Sequence, residues 1–346
     1  MLRRISTLYS VLLICLLSVS LSNAGEPISF TKEFNLFTSQ QAQGFFKPLF
    51  TTIEQSLNSN LHTIAIYEDK WSIGIDISTQ GMIIPGSQKT YDAQLPELYG
   101  NTAECENAEL RNGVLYRNVS GYSKQPTVYG GKSTPIFSAP QYDTHPSKHL
   151  KSNAYAEGMD ISFMPGVPVL QLVFGFPTRT ELRFRFLTFP VQGESLNYFG
   201  FILNQRFDHF FDIFGEDTTM GLAANITFHT GNRNPGIDMY SFAAGLHWSK
   251  YFEDILSVYA ALQYENMGGE FQAERKDFVE SDFIESPYQE VRNGSDIIFD
   301  LESFTSFRIY GGISKRFSFL ELNMNLGYAS QPFISGGLTF WIADWK

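Results

Sequence analysis

The chain has only two cysteines in 346 residues, Cys15 and Cys105. Cys15 sits inside an N-terminal apolar stretch that reads as a removable leader, so a lone Cys105 is left and no internal disulfide can staple the fold. Long apolar runs are missing as well. After residue 24 no stretch reaches the roughly 20 residues that a membrane-spanning helix requires. Positive charge is scarce: Arg3 and Arg4 leave with the leader, and 23 basic side chains then face 36 acidic ones, a net charge of −13. That balance argues against nucleic acid as a partner. There is no His/Cys metal spacing, no phosphate loop and no dinucleotide fingerprint, so no metal or other cofactor is expected.

What is present begins with an export leader. Met1-Leu2-Arg3-Arg4 is a basic start, Leu8 to Leu21 is apolar with serines interspersed, and Ser22-Asn23-Ala24 supplies small residues ahead of a cleavage site. Residues 1–24 are therefore expected to be a signal peptide. The remainder divides into a helical segment over 25–61 and a β-structured body over 62–346.

That body alternates with period 2. Leu182, Phe184 and Phe186 share one face of Thr178–Phe189, and Glu181, Arg183 and Arg185 share the other. The pattern recurs in Thr218–Phe228, Met239–Lys250, Leu256–Tyr264 and Leu320–Tyr328. Each segment is near the 9–11 residues of a tilted transmembrane strand. Their polar faces are mostly small or uncharged, and their apolar faces often end in an aromatic, as at Phe228, Trp248, Tyr264 and Tyr328. A soluble β-sandwich alternates too, but a chain with no spanning helix can sit in a membrane only as a closed barrel. The fold class expected is all-β: an antiparallel transmembrane β-barrel of 10–14 strands, with 12 preferred. In reaching that count, Met159–Met164 and Val167–Phe174 are taken as two strands separated by Pro165-Gly166.

Ahead of the barrel, Gln40 to Asn58 places Ala42, Phe45, Phe46, Leu49, Phe50, Ile53 and Leu57 at helical spacing. Pro48 is expected to kink or divide it. This helix is expected to pack in the lumen or at the periplasmic mouth, or else on the barrel's outer rim. Residues 86–157 show no sustained period and read as a long loop, plugging the barrel or covering it.

The last strand, Ser335-Gly-Gly-Leu-Thr-Phe-Trp-Ile342, has Ser335, Gly337, Phe340 and Ile342 in the places of the C-terminal insertion signal of Gram-negative outer-membrane barrels, which it resembles. It departs from that signal in continuing to Lys346. If this strand ends on the periplasmic side, counting backward puts 266–304, the longest connection after residue 178, outside and leaves short turns within. The resemblance implies a chain exported to the outer membrane and inserted there by the barrel-assembly machinery, in contact with membrane lipid and lipopolysaccharide. The 266–304 connection is rich in acid, from Glu270 to Glu302, which either solvates a surface loop or meets divalent cations.

Three further blocks are Ala42-Gln-Gly-Phe-Phe-Lys-Pro-Leu49, Pro168 to Pro177 with Thr180-Glu-Leu-Arg-Phe-Arg185, and Phe199 to Phe207. Together these resemble a family of Gram-negative outer-membrane barrels of uncharacterised function. A more distant architectural likeness links the helix and barrel to long-chain fatty-acid channels. The resemblance implies an outer-membrane location and a helix preceding the barrel.

The candidate lumen residues are Arg183, Arg185, Arg206, Arg308, Glu181 and Glu321. At membrane depth such charges face a lumen, where they form an internal salt-bridge ladder or a constriction that guides anions. His247 and Ser249 share a strand face, but neither a partner base nor an orienting third group accompanies them, so no catalytic residue is assigned. The expected role is non-enzymatic: a channel or binding protein for a small solute, hydrophobic or anionic. The alternatives are a structural or adhesive surface barrel and, third, a lipid-modifying enzyme.

Overall fold

The computed structural model describes residues 37–62, 64–65, 70–94, 98–99, 108–111, 114–117, 122–132, 156–191, 194–215, 217, 219–252, 255–275, 294–301 and 307–345. The leader expected over 1–24 lies outside these residues, as does much of the acidic connection.

Ten antiparallel strands close on themselves. They are β1 (Trp71–Ile83), β2 (Val169–Phe176), β3 (Thr180–Val191), β4 (Glu194–Arg206), β5 (Met220–Arg233), β6 (Ile237–Phe252), β7 (Leu256–Ala273), β8 (Phe307–Phe317), β9 (Leu320–Tyr328) and β10 (Pro332–Trp345). Each pairs with its sequence neighbours, and β1 pairs with β10 from Trp71↔Trp345 to Met82↔Phe333, which seals the cylinder. The expected class is therefore correct, and the preferred count of twelve is corrected to ten. Phe163–Pro165 and β2 both pair with β1, so the two strands inferred around Pro165-Gly166 fill a single place in the ring. The short strand Ile297–Asp300 likewise shares β7 with β8.

The alternation sorts side chains as a membrane barrel requires. On β5, Asn225, Thr227 and His229 are buried inside, while Ile226 and Phe228 are exposed outside. On β9, Glu321, Asn323 and Asn325 point in, and Leu322, Met324 and Leu326 point out. On β10, Ser335 and Thr339 are buried, and Phe340 and Ile342 are exposed. Ile342 is an extra residue in that ladder: Ile73 pairs with Ala343 and Gly74 with Trp341. This bulge lets the strand run past the insertion-signal pattern to Trp345.

The two mouths differ. At one, the connections are the short segments 177–179, 207–219, 253–255 and 318–319; at the other lie the two long ones, β1–β2 and β7–β8. The strands β5, β6 and β7 rise toward the long-loop mouth, and β7 alone has 18 residues against the 9–11 that cross a bilayer. The residues 266–273, expected to be loop, thus belong to a strand. Along β7 the pattern inverts after Tyr264: Asn266 and Glu270 turn outward, and Met267, Phe271 and Ala273 turn inward.

That inward apolar wall receives the helix α1 (Ser39–Leu57). Thr38 opens it with a capping box: its hydroxyl accepts the Gln41 N–H at 3.2 Å, and Gln41 Oε1 accepts the Thr38 N–H at 2.9 Å. Phe50 meets Phe271 and Phe299 with ring centroids 6.0 and 6.1 Å apart. Tyr91, in a short strand (Thr90–Gln94) paired with Tyr122–Pro126, fills the space beside Gly44, where a Cβ would lie 2.3 Å from its ring. Of the kink or division expected at Pro48, the division does not occur, since the helix runs unbroken through it. A proline inside a helix costs about 3 kcal/mol through its missing N–H and the clash of its ring; here Phe45 and Phe50 on either side of Pro48 anchor the helix by aromatic packing.

Candidate functional site

The first barrel strand starts at the short-turn mouth, whereas α1 sits at the other, so the chain between them must thread the lumen. Residues 58–62, 64 and 65, the described part of that chain next to the helix, lie inside the ring. Arg275 donates to the Phe37 carbonyl at the helix mouth, and Trp71 pairs with Trp345 at the turn mouth. Of the placements expected for the helix, the structure has it inside the barrel wall, at the mouth of the two long connections and not at the short-turn mouth expected to face the periplasm.

The segment 55–65 is held by side chains from around the ring. A helix leaves its last carbonyls without partners, and α1 carries no basic residue in its last turn. The barrel supplies the donors. Arg308 Nη2 donates to Gln55 O at 2.8 Å. Arg185 donates to the carbonyls of Leu57, Ser59 and Asn60, and its Nε to Gln171 Oε1 at 3.0 Å. Asn204 donates to Leu61 O at 3.1 Å, and Ser249 Oγ accepts the Ala65 N–H at 2.8 Å. Guanidinium groups at a helix C-terminus also oppose its negative dipole end.

Asn60 is the hub of this arrangement. Its backbone is left-handed, with φ 48°, a conformation Asn tolerates better than most side chains. Its Oδ1 accepts from Asn325 at 2.7 Å, its Nδ2 donates to Asn323 at 3.1 Å, and its carbonyl accepts from Arg183, Arg185 and Gln171. Gly337 leaves room for it: a Cβ there would lie 2.8 Å from the Nδ2 atoms of Asn60 and Asn323. The glycine noted in the C-terminal strand pattern thus faces the lumen segment. Two residues on, His62 stacks on His247 with centroids 3.6 Å apart and planes within 12°, and its Nε2 lies 2.9 Å from the Tyr310 hydroxyl.

All six candidate lumen residues are buried, and they divide into separate clusters. Arg183 Nε lies 2.6 Å from Glu181 Oε1, and Glu181 also accepts from Asn204 at 3.1 Å. Arg308 Nε lies 2.6 Å from Glu265 Oε1, a close ion pair rather than an aligned hydrogen bond, and its ring-facing side stacks 4.9 Å over Phe333. Glu321 accepts from Ser314 at 2.7 Å and from Trp341 Nε1 at 3.0 Å. Arg185 works on the threaded segment as described. Sequence reasoning missed Asn60, His62 and Glu265; the polar run Ser56-Leu-Asn-Ser-Asn-Leu-His62 after an amphipathic helix was the available signal.

Arg206 lies apart, at the turn mouth, gripping Asp208 with Nε–Oδ1 at 2.7 Å and Nη2–Oδ2 at 2.8 Å. Burial pushes the Asp208 carboxyl up, but Arg206 and the Leu222 N–H outweigh it and hold it below the ordinary aspartate value. A lowered folded value means stability that is present above the unfolded pKa of about 3.9 and is lost as pH falls through the folded one. Asp208→Asn should therefore lower stability by roughly 1–3 kcal/mol at neutral pH. Thermal melts in detergent should show the variant and wild type converging below about pH 4.

Comparisons with known proteins add little beyond kinship. A model of a family described as being of unknown function, DUF6588, matches residues 3–342. No curated protein matches. Among solved structures, the toluene transporter TbuX of Ralstonia pickettii aligns over 79% of this chain and 88% of its own, at 11% identity and a TM-score of 0.21, an overlap too small to bear on function.

Proposed function

The chain belongs to this family of unknown function, and we propose that it is an outer-membrane barrel that admits or binds a small solute and is stoppered by its own N-terminal segment. The observation that carries the reading is the way the lumen is closed. The stopper is neither a strand of the wall nor covalently fixed along its length; side-chain hydrogen bonds from surrounding strands hold it, and no strand ladder has to break for it to leave. A barrel whose only task is to anchor a surface loop has no need of a threaded, separately held segment.

The outward face supports a membrane setting. Leu262, Ile309, Met324 and Ile226 are each about half exposed, and in water so continuous an apolar girdle would drive aggregation. Exposed Tyr264, Tyr328 and Phe228 near its long-loop edge suit an interfacial aromatic belt. In this reading Arg183, Arg185 and Arg308 serve first as a latch on the stopper and face the passage once it moves. The lipid-modifying alternative draws no support from His247 and Ser249: the first stacks on His62 and the second accepts the Ala65 N–H.

Purified protein in planar bilayers or liposomes should pass small solutes in infrequent openings. Wild type that neither conducts nor takes up solute, together with latch variants that behave alike, would sink the reading.

A further inference from the structure

The chain between β4 and β5, residues 207–219, is the longest turn at its mouth of the barrel. It carries Phe211, which at 72% is the most exposed large apolar side chain among the described residues, and Phe210 and Ile213 are exposed with it. Reversing direction needs no such cluster. The turns 177–179 and 318–319 manage it in two or three residues.

The cluster joins the flank of the barrel. Along β4, Phe199, Phe201 and Leu203 point outward, while Ile202, Asn204 and Arg206 are buried inside. Phe207 falls on the outward parity, and its N–H continues the ladder by donating to Leu222 O at 3.0 Å. The Phe211 ring meets Phe207 edge-on, with centroids 6.4 Å apart and planes at 80°. Phe211 therefore extends the apolar girdle past the end of the strands. Next along the rim, the Tyr251 N–H donates to Thr219 O at 2.7 Å, and exposed Phe252 follows on β6.

The polar groups of the turn are bonded within the protein. Asp208 O accepts from the Phe211 and Ile213 N–H groups at 3.3 and 3.2 Å, Phe207 O from Phe210 at 3.0 Å, and Phe214 O from Asp217 at 3.1 Å. Left-handed backbone at Asp212 and Gly215 keeps the fold of the turn tight. Asp208 is gripped by Arg206, and Asp217 accepts the Thr219 N–H at 2.8 Å and lies 3.8 Å from Lys250 Nζ. Bonded amides and paired charges lower the cost of leaving water.

We infer that this turn is a membrane foot: Phe210, Phe211 and Ile213 enter the boundary between headgroups and acyl chains of the phospholipid leaflet at the turn mouth. Exposed His209 and Asp212 stay among the headgroups. Apolar side chains on an otherwise polar segment enter a bilayer to that depth. The partner is a lipid surface and not a soluble protein, because Phe211 is continuous with the girdle on the barrel's side. The inference rests on the membrane setting proposed above and adds to it a contact made outside the strands, which fixes the depth of the barrel.

Nitroxide labels on the full chain in liposomes of phosphatidylethanolamine and phosphatidylglycerol test this. With Cys15 and Cys105 replaced by serine, the label is carried by Phe211→Cys, by Ile226→Cys in the girdle, or by Asp160→Cys near the other mouth. Ile213→Cys serves if the first variant fails to insert. Oxygen concentrates in lipid and a neutral nickel chelate in water. The label at 211 should be relaxed more by oxygen than by nickel, as at 226, and the order should reverse at 160. Nickel prevailing at 211 while oxygen prevails at 226 overturns the foot and leaves the barrel in its membrane. Nickel prevailing at 226 as well removes the membrane setting and the foot with it. Line broadening at 211 that vanishes on dilution with unlabelled protein marks contact with a second copy, and overturns the inference too.

Discussion

Arg185→Ala should free the lumen segment while the barrel stays closed. One guanidinium reaches the carbonyls of Leu57, Ser59 and Asn60 and braces against Gln171. Removing it strands the Leu57 and Ser59 carbonyls in a lumen where little water reaches them, each at about 1–3 kcal/mol, and weakens the hold on the Asn60 carbonyl, which Arg183 and Gln171 still reach. Partial relaxation leaves a net loss of roughly 3–5 kcal/mol of docking free energy, or more than a hundredfold in the docked-to-free ratio. The β ladders on either side of Arg185 do not depend on its side chain, so far-UV circular dichroism and heat-modifiable gel mobility should match wild type. Conductance in planar bilayers should rise by a factor on the order of a hundred in open probability. Arg185→Lys should rescue little, because an ammonium cannot span three carbonyls in a plane. An Arg185→Ala barrel with wild-type conductance would mean that Arg185 is not the latch.

The second large effect is expected at Glu265. This carboxylate, fully buried on β7, is the counter-charge of Arg308 on β8. Glu265→Gln keeps the shape and removes the charge, leaving a guanidinium buried among Gln80, Gln55 and Phe333 without compensation. Breaking a buried pair from one side typically costs about 3–5 kcal/mol. Replacing both members by neutral groups costs far less, so Glu265→Gln with Arg308→Met should recover most of the loss. A double-mutant cycle on thermal or denaturant unfolding reads the difference. If the double variant is as unstable as the sum of the two singles, the pair is not coupled and the interpretation fails.

The contrast between these two arginines explains what the sequence disclosed and what it hid. Parity along a strand assigns Arg183, Arg185 and Arg308 to the lumen, because successive side chains alternate faces whatever surrounds them. Parity says nothing of what stands opposite. The partners of Arg185 are backbone carbonyls of residues 57–60, in a stretch without period, and such acceptors are invisible in side-chain identity. Strand number was overcounted for a related reason. Pro165-Gly166 looks like a turn, yet the chain on both sides pairs with β1, and the Gly166 N–H bonds to Gln80 O; a break in pattern is not a reversal of direction. Strand length was undercounted where α1 packs. There the inward positions of β7 become apolar at Met267 and Phe271, which ends the polar-in alternation while the ladder to β6 continues to Phe271.

The threaded segment also constrains the order in which this molecule can be built. Residues 58–70 join α1 at one mouth to β1 at the other, and β1 and β10 are the two strands that close the ring. An α-helix with its side chains is about 10–12 Å across, too wide to be drawn through a ten-strand wall already filled with inward side chains. The helix must lie between the ends of the curling sheet before they meet, with Asn60 seated against Asn323, Asn325 and Gly337 as β10 arrives. The threaded segment is thus also a mandrel, the form around which the last seam is drawn shut.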